Sequence, residues 1–185
     1  MDNGASSYRR FLDGDDNGIV EIIRDYKDGL MLYLNSFVNN ICIAEDITEN
    51  TFIKLVVKKP RFRRSSSFKT WLYAIGRNVA LDYLRKATKV SFSSIDDYPN
   101  LSNEEADIEK SYIKEERKIA VHKALKMLNP EYSQVLYLSY FENFSNSQIA
   151  EIMKKSSRQI ENLIYRAKLS LKSTLNKEGF LYEEL

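Results

Sequence analysis

The interval at which apolar residues recur decides what this chain can fold into. From Ile19 to Val38, the residues Ile19, Ile22, Ile23, Tyr26, Leu30, Tyr33, Leu34 and Phe37 follow one another at threes and fours. That spacing gathers side chains onto one stripe of an α-helix and scatters them over both faces of a strand. Asp15, Asp16 and Asn17 stand just upstream as candidate N-caps. A second helix is predicted over Ala44 to Lys58: Glu45 and Asp46 near its start and Lys58 and Lys59 at its end suit the helix dipole, and Pro60 stops it. After PRFRRSSS a third is predicted from about Phe68 to Lys86, with Trp71, Leu72, Ile75, Val79 and Leu84 toward a core. With only 6 Gly and 3 Pro in 185 residues, the chain lacks the turn formers of a sandwich or barrel. The expected fold class is all-α.

The periodicity fails between Thr88 and Asp107, where TKVSFSSIDDYPNLSNEEAD is rich in Ser, Asp, Asn and Glu. A patternless stretch of about twenty residues exceeds the usual connection inside one domain. Two small helical domains are therefore expected, over 1–89 and 108–185, joined by a flexible acidic linker at 90–107. Ile108, Ile113, Ile119, Ala120, Ala124 and Met127 restore helical spacing up to Leu128. Asn129 is then a predicted N-cap, with Pro130 in the first turn where a missing N–H matters least. The net charge of +2 conceals a segregation: −6 over 1–53, +10 over 54–89, −6 over 90–116 and +4 over 117–185. Two basic blocks separated by an acidic one suggest two polyanion-facing surfaces, solvated helix faces being the plainer reading.

Little in the sequence supports catalysis. The single Cys42 leaves no internal disulfide or multi-cysteine metal site and suits a reducing compartment. Between Ile41 and Ile43 it reads as a small buried hydrophobe. His122 lies in a helical pattern with no nucleophile or carboxylate at motif spacing, and no Walker, Rossmann or zinc signature occurs. A solvated or half-buried helix histidine is expected, with no catalytic residue, metal or cofactor. The N-terminal MDNGASSYRRFLDGDD has no apolar signal segment, and nowhere do eighteen apolar residues run together. A cytoplasmic protein without membrane insertion is expected.

The sharpest local signal is FSNSQIAEIMKKSSRQIENLIYRAKLSL at 144–171. Ser145 with Gln148 and Ser156 with Gln159 each have capping-box spacing, so two helix starts lie eleven residues apart with a short turn over Lys154 to Ser156. That is a helix-turn-helix, its core expected from Ile149, Ile152 and Met153 against Ile160, Leu163, Ile164, Ala167 and Leu171. Left outside on the second helix are Ser157, Arg158, Gln159, Glu161 and Asn162, then Tyr165, Arg166, Lys168 and Lys172. Arg, Asn and Gln can read base edges in the major groove, while Lys and helix N-terminal amides hold phosphates. An ordinary helical hairpin with a polar outside is the bland alternative.

The first basic block is a different surface. Between Phe52 and Lys89 the cations alternate with Phe62, Phe68, Trp71, Tyr73 and Tyr83, a mixture suited to stacking and backbone neutralisation on single-stranded nucleic acid. Trp71 and Tyr73 can equally be core residues. A stand-alone helix-turn-helix regulator, or a helical adaptor that binds only protein, would use the same two faces differently.

Three segments, AEDITENTFIKL (44–55), SFKTWLYAIGRNVALDYLRK (67–86) and LNPEYSQVLYLSYFENFSNSQIAEIMKKSSRQIENLIYRAKLSL (128–171), resemble in order and spacing regions 2 and 4 of extracytoplasmic-function sigma factors of the sigma-70 family. The resemblance implies a non-enzymatic factor that brings core RNA polymerase to promoters. Its partners would be the clamp coiled coil of the largest polymerase subunit, the flap of the second-largest, promoter DNA and an anti-sigma factor. Residues 1–89 would then bind core enzyme and recognise and melt the −10 element, and 108–185 would read the −35 element.

Residue by residue, the resemblance puts Asp46, Glu49, Phe52 and Ile53 at the core-polymerase face, Glu49 replacing the family's usual Gln. Pro60 to Phe68 corresponds to the loop that captures a flipped −10 base, and Asn78 to a residue of that pocket. The implied −10 set is Arg61, Phe62, Arg63, Arg64, Phe68 and Lys69 from the loop and helix start, with Trp71, Tyr73, Arg77, Asn78, Arg85 and Lys86 along the helix. Ala74 and Ile75 stand where primary sigma factors carry a melting pair of tryptophans, which implies weaker melting. Ser157, Arg158, Gln159, Glu161, Asn162, Tyr165, Arg166 and Lys168 form the implied −35 set. Glu161 stands where many relatives are basic, and an acid there can accept from a cytosine amino group.

Overall fold

The computed structural model describes residues 3–63, 65–91 and 121–177. Arg64 of the −10 set, residues 92–107 of the linker and the helical restart from Ile108 to Ala120 lie outside them; Val90 and Ser91, expected in the linker, continue α4. Every regular element among the described residues is helical. The first three predicted helices are present as α2 (Asn17–Val38), α3 (Ile41–Lys58) and α4 (Phe68–Ser91). The start of α3 falls earlier than Ala44 because the Asn40 side chain accepts from the Ile43 N–H at 3.2 Å. Glu45 and Asp46 thus stand beyond the first turn, where the dipole effect fades. Asp16 precedes α2 without a side-chain cap bond; the Asp15 carboxylate instead accepts from the Asn17 N–H at 3.0 Å.

One helix was not anticipated. The segment at Asn3–Leu12, NGASSYRRFL, forms α1, too short and too rich in Gly and Ser to persist alone. Tertiary contacts hold it. Tyr8 and Phe11 are buried, the Ser7 hydroxyl donates to Glu21 at 2.6 Å, and Arg10 bonds both Glu21 and Asp15. Hydrogen bonds from Arg10 and Ser7 hold the Glu21 carboxyl below its ordinary pKa.

The second unit comprises α5 (121–127), α6 (Pro130–Leu136), a π-turn (Tyr137–Phe141), α7 (Asn146–Met153) and α8 (Ser157–Lys177). Asn129 caps α6 as expected, accepting from the Glu131 N–H at 2.9 Å with Pro130 in the first turn. The two units are pressed together, α4 against α7 and α2 against α6. One continuous buried cluster runs from Tyr8 to Ala167, crossing between units where Tyr33 stacks on Tyr137 at 6.5 Å and Tyr73 meets Phe144 edge-on at 5.1 Å. Cys42, expected in a core, is exposed: α3 turns Ile41 and Cys42 outward and buries Ala44 and Ile47. His122 is exposed on α5, its ring 5.2 Å from Phe141.

Candidate nucleic-acid interface

Reciprocal caps fix the helix-turn-helix. The Ser145 N–H donates to Gln148 Oε1 at 2.9 Å, and Gln148 returns a bond to Ser145 Oγ. The Ser156 N–H donates to Gln159 Oε1 at 2.8 Å, and the Gln159 N–H to Ser156 Oγ at 3.2 Å. Between them Lys154 takes a left-handed conformation, φ 55°, so the turn forms without glycine. Ile149, Ile152, Met153, Ile160 and Ala167 are buried between α7 and α8, with Leu163, Ile164 and Leu171 half-buried beside them.

All eight residues of the −35 set are exposed. Arg158, Asn162 and Arg166 recur at fours and so line one edge of α8. Gln159 is a partial exception as a reader, because its carbonyl oxygen is committed to the cap and only its amide N–H groups remain. Lys168 lies 5.2 Å over the Tyr140 ring.

The −10 set divides. Arg61, Arg63 and Lys86 are exposed; Arg85 is too, in a surface pair with Asp82 at 2.9 Å that contributes little. Phe62 and Trp71 are half-buried, their rings 5.2 Å apart, with Tyr8 and Phe68 packed against Trp71 at 5.3 and 5.5 Å. Phe68 and Tyr73, by contrast, are core residues. Neither face of a fully buried ring can receive a base, so of these four rings only Phe62 and Trp71 keep an accessible surface. Arg77 is half-buried, with its Nε buried and unpaired.

Other −10 residues are engaged by the second unit. Lys69 Nζ pairs with the Glu142 carboxylate at 2.8 Å and donates to its backbone carbonyl at 3.0 Å. Lys154 donates to Asn78 Oδ1 at 3.1 Å, and Ser66 to Glu151 at 2.7 Å. The Tyr73 hydroxyl donates to Glu142 Oε2 at 2.7 Å; burial, then the adjacent carboxylate, pushes its pKa well above the ordinary tyrosine value. None of these partners was foreseen, since sequence periodicity does not say which outer faces of two units meet.

On α3, Asp46, Glu49 and Ile53 share the outer surface with Val56 and Val57. Phe52 does not: it is 6% exposed against 55% for Ile53, so it supports this face from beneath. Sequence reasoning also missed α1's place beside the 60–67 loop. Tyr8, Arg9 and Leu12 line, with Arg61 and Phe62, a cleft of about 280 Å³, and the Tyr8 hydroxyl donates to the Pro60 carbonyl at 2.8 Å. Burial raises the Tyr8 phenol to about 12. The available signal was Tyr8, Phe11 and Leu12 at threes and fours beside Arg9 and Arg10. Among the described residues no cluster is arranged to hold a metal, and no helix is long and apolar enough to cross a membrane.

Comparison with known proteins adds the family. Residues 22–90 match the family model for sigma-70 region 2 and residues 118–171 that for sigma-70, region 4. The chain is 28% identical over 162 residues to the RNA polymerase sigma factor YlaC of Bacillus subtilis, covering 87% of this chain and 94% of that one. It is 25% identical over 170 residues to the ECF RNA polymerase sigma factor SigW of the same organism, covering 88% and 91%. The sigma factor RpoE of Bartonella quintana, solved in complex with the anti-sigma factor NepR, shares the fold with a TM-score of 0.69 at 22% identity over 84% of this chain and 95% of that one. With region 2 on α2 to α4 and region 4 on the helix-turn-helix, the chain belongs to the sigma-70 family and is an RNA polymerase sigma factor of the extracytoplasmic-function type.

Proposed function

We propose that this sigma factor docks on the largest-subunit clamp of core RNA polymerase through Asp46, Glu49 and Ile53, captures the −10 strand with the 60–67 loop and α4, and reads the −35 element with α8. The observation that carries the reading is the outward face of α8: a capped N-terminus with Arg158, Asn162 and Arg166 on one exposed edge, above a helix buried on its other side. Phe62 from the 60–67 loop and Trp71 on α4 offer the ring surface, and Arg61 and Arg63 of the loop the charge, that a separated strand requires. The polymerase flap meets the second unit, and no chemistry is performed by the chain itself.

The proposal extends to control and place: a cytoplasmic factor, held by an anti-sigma protein that grips both units. Mixed with sigma-free bacterial core polymerase and fragmented genomic DNA, the protein is expected to give discrete run-off transcripts without a nucleotide-hydrolysing activator. Transcripts sharing no −35 or −10 sequence, or none above core enzyme alone, would defeat the reading.

A further inference from the structure

Glu142 joins the two units, and its surroundings are built for it. It follows the π-turn directly, and its side chain is only 11% exposed. A carboxylate so enclosed requires compensation, which it receives from the Lys69 ammonium at 2.8 Å and the Tyr73 hydroxyl at 2.7 Å. Lys69 is further fixed over the Phe144 ring at 4.9 Å.

The floor of this seat is Gly29. Glycine in the interior of the 22-residue α2 weakens the helix relative to alanine, and here close approach explains it. A Cβ on residue 29 would stand 2.7 Å from Glu142 Oε1 and 2.8 Å from the Tyr73 hydroxyl oxygen, inside contact distance of both. Three elements thus converge on one carboxylate: α2 through a missing side chain, α4 through Lys69 and Tyr73, and the second unit through Glu142.

Lys69 and Asn78 belong to the −10 face, and both are occupied by the second unit, with Ser66 beside them. We propose that Glu142 is a bolt that takes the position of a DNA phosphate at Lys69 and closes the second unit over the strand-binding face. A −10 strand and the closed form then compete for the same ammonium. Because such coupling is reciprocal, whatever withdraws Glu142 tightens strand binding, and a bound strand opens the chain. This rests on the −10 reading above for its competitor, whereas the bolt itself rests on the contacts alone.

Gly29 and Glu142 lie outside both DNA-facing sets, so they allow a test that leaves every candidate reader in place. Full-length protein carrying donor and acceptor dyes on the exposed Cys42 and on a substitution of the exposed Ser173, Ser173→Cys, reports the separation of α3 and α8 by energy transfer. Gly29→Ala, which fills the seat, and Glu142→Gln, which keeps the shape but removes the charge, are each expected to lower transfer while retaining helical circular dichroism. Both are expected to bind a fluorescent single-stranded DNA 20-mer about tenfold more tightly than the parent. Unchanged transfer in the folded variants overturns the bolt, and opening without tighter strand binding overturns the competition. Opening with no strand binding by parent or variants defeats the −10 reading while leaving the bolt supported.

Discussion

Arg158 and Asn162 stand one turn apart on a face of α8 that no other part of the described chain covers, so their effect on binding is separable from any effect on folding. Replacing each with Ala is expected to reduce −35 discrimination by roughly 1 to 3 kcal/mol per lost base contact. Competition binding against mutated −35 duplexes would show this, with the melting temperature unchanged. Unaltered sequence preference would remove α8 as the reader. This edge was legible in the sequence because two capping boxes set the phase of the helix and the apolar spacing then left one outer face. The division of the −10 aromatics was not. Phe62, Phe68, Trp71 and Tyr73 have similar chemistry and sit within twelve residues, and only packing separates the buried Phe68 and Tyr73 from the half-buried Phe62 and Trp71.

At the scale of the element, α3 carries two kinds of residue among those that the resemblance puts at the polymerase face. Phe52 is in the core, and truncating a buried Phe costs about 3 to 5 kcal/mol. Ile53 is on the surface, where truncation leaves stability nearly unchanged. Ile53→Ala is therefore expected to weaken core-polymerase binding with an unaltered urea midpoint, whereas Phe52→Ala is expected to lower both. Titration against labelled core enzyme beside denaturant melts distinguishes them; equal loss of stability in both would place Ile53 inside the fold. The presence of α2 to α4 was legible from apolar spacing, charge order and Pro60, whereas the start of α3 and the end of α4 lay beyond the predicted bounds. The helix α1 escaped because it is only ten residues long, with Asn, Gly and Ser over much of its first two turns, and its order comes from Glu21, Pro60 and Trp71, residues far along the chain.

At the scale of the molecule, the main buried cluster of the described residues spans both units that sequence periodicity separates. The acidic composition of 90–107 argues for a linker, and a linker is silent about whether the bodies it joins touch. Because Tyr33, Tyr73, Tyr137 and Phe144 bridge the units, heating should give one calorimetric transition whose van't Hoff and calorimetric enthalpies agree. Two resolved transitions would show that each unit melts on its own.

The π-turn at Tyr137–Phe141 has a consequence for phase. Each hydrogen bond of a π segment spans one more residue than in the α-helix around it, and each residue advances an α-helix by about 100°. Shortening the segment by a single residue would swing everything after it by that angle, carrying Glu142 off Lys69 while the helix-turn-helix stayed internally intact. Whether this molecule rests shut or open is thus written as a count of residues in one turn, separately from the residues that touch DNA.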